Sequence, residues 1–145
     1  MNEVLKTIAE RYTCRDYKDQ MPTYEMLQAI AQAAIEAPSG MNRQAWRVIV
    51  VQDKQLIEGI SYLESLEDKS MYNRIMERGG KLFYGAPCMI VVPIDPKQYG
   101  PALIDCGILC QNITLAAASL GLASTMCGLL GTAFASGKRS QEFAK

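Results

Sequence analysis

A chain of 145 residues, 49% of them apolar and without low-complexity tracts, suits one globular domain with its own core. Its 15 basic residues balance 15 acidic ones, and no basic face interleaved with aromatics is present, so nucleic acid is not an expected partner. Histidine is absent, which removes Ser-His-Asp and Cys-His catalysis and most zinc hydrolases.

The first segment, Asn2 to Glu10, places Val4, Leu5 and Ile8 on one face and predicts an amphipathic helix with Asn2 as its cap. It runs into Arg11-Tyr12-Thr13-Cys14-Arg15, where β-formers end the pattern. Pro22 breaks the chain, and Thr23 caps a second helix with a buried stripe of Leu27, Ile30, Ala31 and Ala34. Pro38-Ser39-Gly40 ends it. Trp46 to Val51 reads as a strand, and Asp53-Lys54 leads into a helix through Leu56, Ile57, Ile60 and Leu63. The charged, Met- and Tyr-rich stretch from Glu64 to Arg78 predicts a partly exposed helical excursion, and Gly79-Gly80 marks a turn.

Cys88 to Pro93 is a second, near-continuous apolar strand of the kind found in mid-sheet, covered on both faces. A long helix follows from about Ala102 to Leu120, apolar almost all round and therefore a core or interface helix. Gly121 stops it, Leu122 to Thr125 predicts a short strand, and a polar tail runs from Ser136 to Lys145. Alternating helices and strands give an α/β or α+β layered domain, with no internal repeat and no dividing linker.

The N-terminus, MNEVLKTIAER, has an early acid and helical periodicity, and is not read as a secretory leader. No segment reads as a membrane span. Leu103 to Leu130 comes nearest, but Gln111, Asn112, Thr114, Ser119, Ser124 and Thr125 interrupt it. A cytoplasmic protein is expected. Its five cysteines, Cys14, Cys88, Cys106, Cys110 and Cys127, form no C-x-x-C and read as reduced, mostly buried thiols. Cys106 and Cys110 share a helical face, but no further ligand completes a metal site.

Three stretches have the residue types to hold a ligand. Arg11, Thr13 and Arg15 offer two forked guanidiniums and a hydroxyl, a set suited to a phosphate or equally to a solvated basic turn. The second stretch, Ala37 to Trp46, is a helix stop, a polar loop and a strand start, with Arg43 and Arg47 flanking the only tryptophan, Trp46. There Asn42 and Gln44 carry amide donors and acceptors for the edge of a flat heterocycle, although an ordinary turn has the same composition. Gly121 to Gly128 is a glycine-framed exit from the long helix that can present backbone N–H groups, while nothing nearby activates Cys127 as a nucleophile. Neither GxGxxG nor GxxxxGK[ST] is present.

Taken together, these stretches resemble the nitroreductase family. ERYTCRDY is similar to the family's Arg-x-Ser/Thr-x-Arg phosphate segment, APSGMNRQAWRVIVV to its flavin-contacting loop and following strand, APCMIVV to its next core strand, and DCGILCQNITLAAASLGLAST to its central helix. Order and spacing agree over roughly residues 1 to 130.

The resemblance implies an α+β sandwich, a central sheet flanked by helices, paired as an intertwined homodimer with FMN at the interface. It implies that Arg11, Tyr12, Thr13 and Arg15 of one subunit approach the FMN phosphate and ribityl chain. Pro38, Ser39, Gly40, Asn42 and Gln44 of the other approach the flavin, and Asn73 its pyrimidine edge. The Thr125, Met126, Cys127 and Gly128 loop resembles the family segment that brings a backbone N–H, here that of Cys127, to flavin N5. The resemblance further implies that hydride passes from NADH or NADPH to a nitroaromatic, quinone or related small acceptor by ping-pong exchange, with no catalytic side chain.

The family normally continues past the central helix. GKRSQEFAK does not match that continuation, so residues 1–145 read as one nitroreductase-like domain shortened at its C-terminus. A flavin-binding dimer with little turnover is the alternative.

Overall fold

The computed structural model describes residues 2–67, 69–77, 79–95, 97 and 99–128. In chain order they form α1 (Glu3–Glu10), α2 (Tyr24–Ile35), a 3-10 turn (Gly40–Asn42), β1 (Ile49–Val51), α3 (Lys54–Glu67), α4 (Lys69–Glu77), β2 (Met89–Val91) and α5 (Tyr99–Ser119). The mixed α+β character follows the expectation, and the tail from 129 onward lies outside the described residues.

Local chemistry sets the helix ends. The Asn2 side chain accepts from Leu5 N–H at 3.0 Å, and Thr23 Oγ1 accepts from Met26 N–H at 3.3 Å. Asp53 Oδ1 accepts from Gln55 and Leu56 N–H at 2.9 and 3.1 Å, starting α3. At the far end of α5, Gly121 takes φ 75°, which glycine adopts without Cβ strain. Leu122 N–H then reaches Ala117 O at 2.9 Å, and Gly121 N–H reaches Ala118 O at 3.0 Å, the paired bonds of a Schellman stop. Gly79 and Gly80 close α4 in the same way.

The core forms where α5 crosses α2 and the ladder. Ala34, Ala37, Trp46, Cys106 and Leu109 are buried together, with Val48, Val92, Ile94 and Ile113 packed around them. Alanines on α2 let the two helices approach closely. Asn112 Nδ2 adds a bond across the seam to Ala33 O at 3.0 Å, a carbonyl left over because Ala37 N–H turns to Ala34 O. On α2 the buried stripe is Leu27, Ile30 and Ala34, while Ala31 is half-buried.

Several expectations change. β1 and β2 pair antiparallel, Ile49 with Val91 and Val51 with Met89, and a bridge from Trp46 to Ile94 extends the ladder. Among the described residues this sheet has two strands, and β2 is half-buried rather than covered on both faces. An apolar run reports that a strand meets other surfaces, not how many layers its own chain supplies. Leu122 to Thr125 makes a single parallel bridge, Thr13 to Ser124, instead of a strand. Only Cys14 and Cys106 of the five cysteines are buried.

The window Ala102–Ser119 of α5 has mean hydropathy 1.4, so by length and composition it could cross a membrane despite its polar interruptions. Part of that apolar content packs on α2, α1 and the 3-10 turn, and part, Leu103, Ile104 and Ile108, is exposed. The apolar face of α1 is exposed as well, at Val4, Leu5 and Ile8.

A second tie joins the chain's beginning to the exit of α5. Cys14 N–H donates to Ser124 O at 3.0 Å. Cys14 O accepts from Thr125 Oγ1 at 2.5 Å and from Tyr17 Oη at 3.2 Å. Burial raises the Tyr17 pKa from 10.0 to about 12, against an opposing hydrogen bond with Thr125.

Two consequences are measurable. Leu109, fully buried in the α2–α5 seam, should lose about 2–5 kcal/mol of stability on replacement by alanine, read from urea unfolding. Tyr17 keeps its proton more tightly when folded, so its contribution is complete below pH 10 and is lost as pH rises toward 12. Wild-type stability should therefore fall more steeply than that of Tyr17→Phe across this window; parallel declines would show that Tyr17 titrates as it does in the unfolded chain.

Candidate functional site

The residues singled out for phosphate binding lie on the arm that leaves α1. Arg11 is the last residue with a helical tie, its N–H reaching Thr7 O at 3.0 Å, and its backbone is already extended (φ −61°, ψ 130°). Arg11 and Arg15 therefore do not share a helical face. The arm is instead pinned at Thr13 and Cys14 to Ser124 and Thr125, so the structure brings Arg11, Tyr12, Thr13 and Arg15 beside the start of the Thr125 to Gly128 loop. A pocket of about 200 Å³ opens between the end of α1 and the exit of α5, lined by Thr7, Glu10, Arg11, Tyr12, Thr114 and Ser124 among others; Thr13, Arg15 and the Thr125 to Gly128 loop do not line it. Among the described residues the one ion pair is Lys54 with Asp19, which leaves both arm guanidiniums without a carboxylate partner.

The second set occupies the turn after α2. Asn42 N–H bonds to Ser39 O at 2.9 Å, Gln44 N–H to Ser39 Oγ at 3.0 Å, and Gln44 Nε2 to Asn42 Oδ1 at 3.1 Å. The two amides hold each other side by side, with Asn42 Nδ2 and Gln44 Oε1 left as one donor and one acceptor. Met41, Asn42 and Gln44 have φ of 56°, 54° and 47°, three left-handed non-glycine residues within four positions. Trp46 turns away into the core. Nothing in the composition of this loop signals that strain, beyond the tolerance of asparagine for the conformation.

The two sets stand toward opposite ends of α5. Gly40 N–H is bonded to Asp105 near the helix start, while the arm is bonded to the segment just beyond Ser119. The rise from Asp105 to Ser119 is roughly 21 Å at about 1.5 Å per residue. Asn73 lies exposed on α4, which packs on α3. Met126 and Gly128 are exposed, and Thr125 and Cys127 half-buried. Burial pushes the Cys88, Cys106 and Cys110 thiols up, with Cys110 and Asp105 adding to the effect at Cys106, which keeps them as poor nucleophiles.

The chain resembles known proteins along most of its length. A nitroreductase of Desulfitobacterium hafniense solved with bound FMN is 70% identical, superposes with a TM-score of 0.88, and covers 99% of this chain, which covers 79% of it. An FMN-bound nitroreductase of Bacteroides fragilis is 32% identical, with a TM-score of 0.84 and the same coverages. A protein of Archaeoglobus fulgidus with the provisional name NADH dehydrogenase/NAD(P)H nitroreductase is 33% identical over 133 residues, 89% of this chain and 69% of the relative. A namesake in Methanothermobacter thermautotrophicus has 61% of its length spanned. The model of the nitroreductase family matches residues 8–135, taking in the arm, the loop and α5 together, and the chain is a member of that family.

Proposed function

We propose that this protein is an FMN-dependent oxidoreductase of the cytoplasm that oxidises NADH or NADPH and reduces a nitroaromatic, quinone or related small acceptor by ping-pong exchange. The observation that carries the reading is the match over 99% of the chain to an FMN-bound nitroreductase at 70% identity. The donor set fits the cofactor. Two guanidiniums free of carboxylates suit a phosphate dianion, and the paired amides of Asn42 and Gln44 suit a heterocycle edge with mixed donors and acceptors.

When bound, FMN supplies both the acceptance and the release of hydride, so no histidine is needed. The chain's own residues bind and orient it. Arg11 and Arg15 hold the phosphate, Thr13 adds a hydroxyl, and Tyr12 covers the ribityl chain. Pro38, Ser39 and Gly40 shape the loop from which Asn42 and Gln44 meet the ring, and Asn73 reads the pyrimidine edge. The backbone N–H of Cys127, within Thr125 to Gly128, donates to flavin N5.

Because the arm and the loop of one chain face opposite ends of α5, each site takes its arm from one copy and its loop from another. The exposed apolar residues of α1 and α5 provide surface for that pairing. The homodimer is thus the functional unit.

The purified protein should be yellow, and NADH or NADPH should bleach it under anaerobic conditions. A flavin that stays oxidised with both donors would remove the enzymatic reading and leave a flavin-holding dimer. Arg15→Ala should weaken FMN binding by about 1.5–3 kcal/mol, the value of a charged hydrogen bond, in a fluorescence titration. Unchanged affinity would make Arg15 a surface charge.

A further inference from the structure

We infer that Asp105 is a positioning residue that fixes the Ser39 to Gln44 loop in the conformation that meets the flavin; the inference rests on the FMN reading above. Gly40 N–H lies 3.2 Å from both Asp105 carboxylate oxygens, a charge-assisted contact between groups 65 positions apart in the chain.

The loop needs such a tie. Backbone held at positive φ by non-glycine residues persists only where its surroundings enforce it, and here Met41, Asn42 and Gln44 all require it. Burial does not supply the constraint, because the loop is open to solvent and Met41 is 86% exposed. The bonds from Gln44 to Ser39 and Asn42 hold the loop to itself, and the bond from Asp95 N–H to Ala45 O at 3.0 Å anchors only the residue after it, leaving Ser39 to Asn42 untied to the fold. Asp105 does what they cannot. It sits on α5 beside Cys106 of the main core, so its carboxylate is delivered by the most firmly packed helix. Among the described residues it has no cationic partner, and both its carboxylate oxygens lie against the Gly40 N–H. A Cβ on Gly40 would lie 3.9 Å from the same carboxylate, which shows how closely turn and helix meet.

Two readouts test the inference on the full-length protein. Amide hydrogen exchange without added flavin reports the tether, and FMN titration reports its use. In Asp105→Ala, exchange at Gly40, Asn42 and Gln44 should accelerate at least tenfold while α5 amides keep their rates, and FMN affinity should fall at least tenfold. Asp105→Asn, which keeps one acceptor oxygen at the same place, should recover part of both. Unchanged exchange overturns the tether, and faster exchange with FMN affinity within twofold of wild type overturns the positioning role. If wild-type protein binds no FMN, the cofactor reading falls, and exchange alone then decides whether Asp105 holds the loop.

Discussion

The packing of α5 against α2 is the contact on which the rest of the structure depends. Leu109 and Cys106 on α5 meet Ala34 on α2 and Ala37 just beyond its end, with Trp46, ahead of β1, closing the seam. Alanine on α2 allows close approach, and Asn112 uses a spare α2 carbonyl to fix the register. Once that seam is set, α5 becomes a ruler. Asp105 near its start receives the turn that follows α2, and the Schellman stop at Gly121 directs the chain to the arm after α1. The arm and the amide loop are both tied to that one helix or to the residues just beyond it, while Asn73 stands apart on α4.

That arrangement explains why one chain alone looks incomplete. Its two ligand-holding sets are separated by most of the length of α5, its ladder has two half-buried strands among the described residues, and apolar side chains on α1 and α5 meet solvent. In the proposed dimer a second copy resolves the first and the third of these conditions, because it brings a loop to each arm and adds cover for the apolar faces. The absence of histidine is consistent with such a site, in which binding and orientation are the work of the protein and the electron chemistry belongs to the cofactor.

Much of this was legible in the sequence where the signal is local. Asn2 and Thr23 cap their helices, Gly121 ends α5, and β1 and β2 fall within the apolar runs that announced them. The arm and loop were legible as residue types, and the family resemblance joined them. What stayed hidden depends on distance through space. Asp105 is one acid on an apolar helix, an oddity that hints at a task without naming Gly40 as its partner. The left-handed backbone at Met41 and Gln44 has no compositional mark. The apolar content of α5 was legible, yet its division between a core seam and an open face was not, since periodicity cannot tell a buried neighbour from one that a second chain would supply.

The most direct test of a shared site is complementation between two damaged chains. One carries Arg11→Ala and Arg15→Ala, and the other Asn42→Ala and Gln44→Ala; each alone should bind FMN poorly. After unfolding and refolding together, mixed dimers would contain one site with an intact arm and an intact loop, and FMN binding at near wild-type affinity should return in a fraction of sites. Mixed dimers that form and still fail to bind FMN would contradict a site built from two copies.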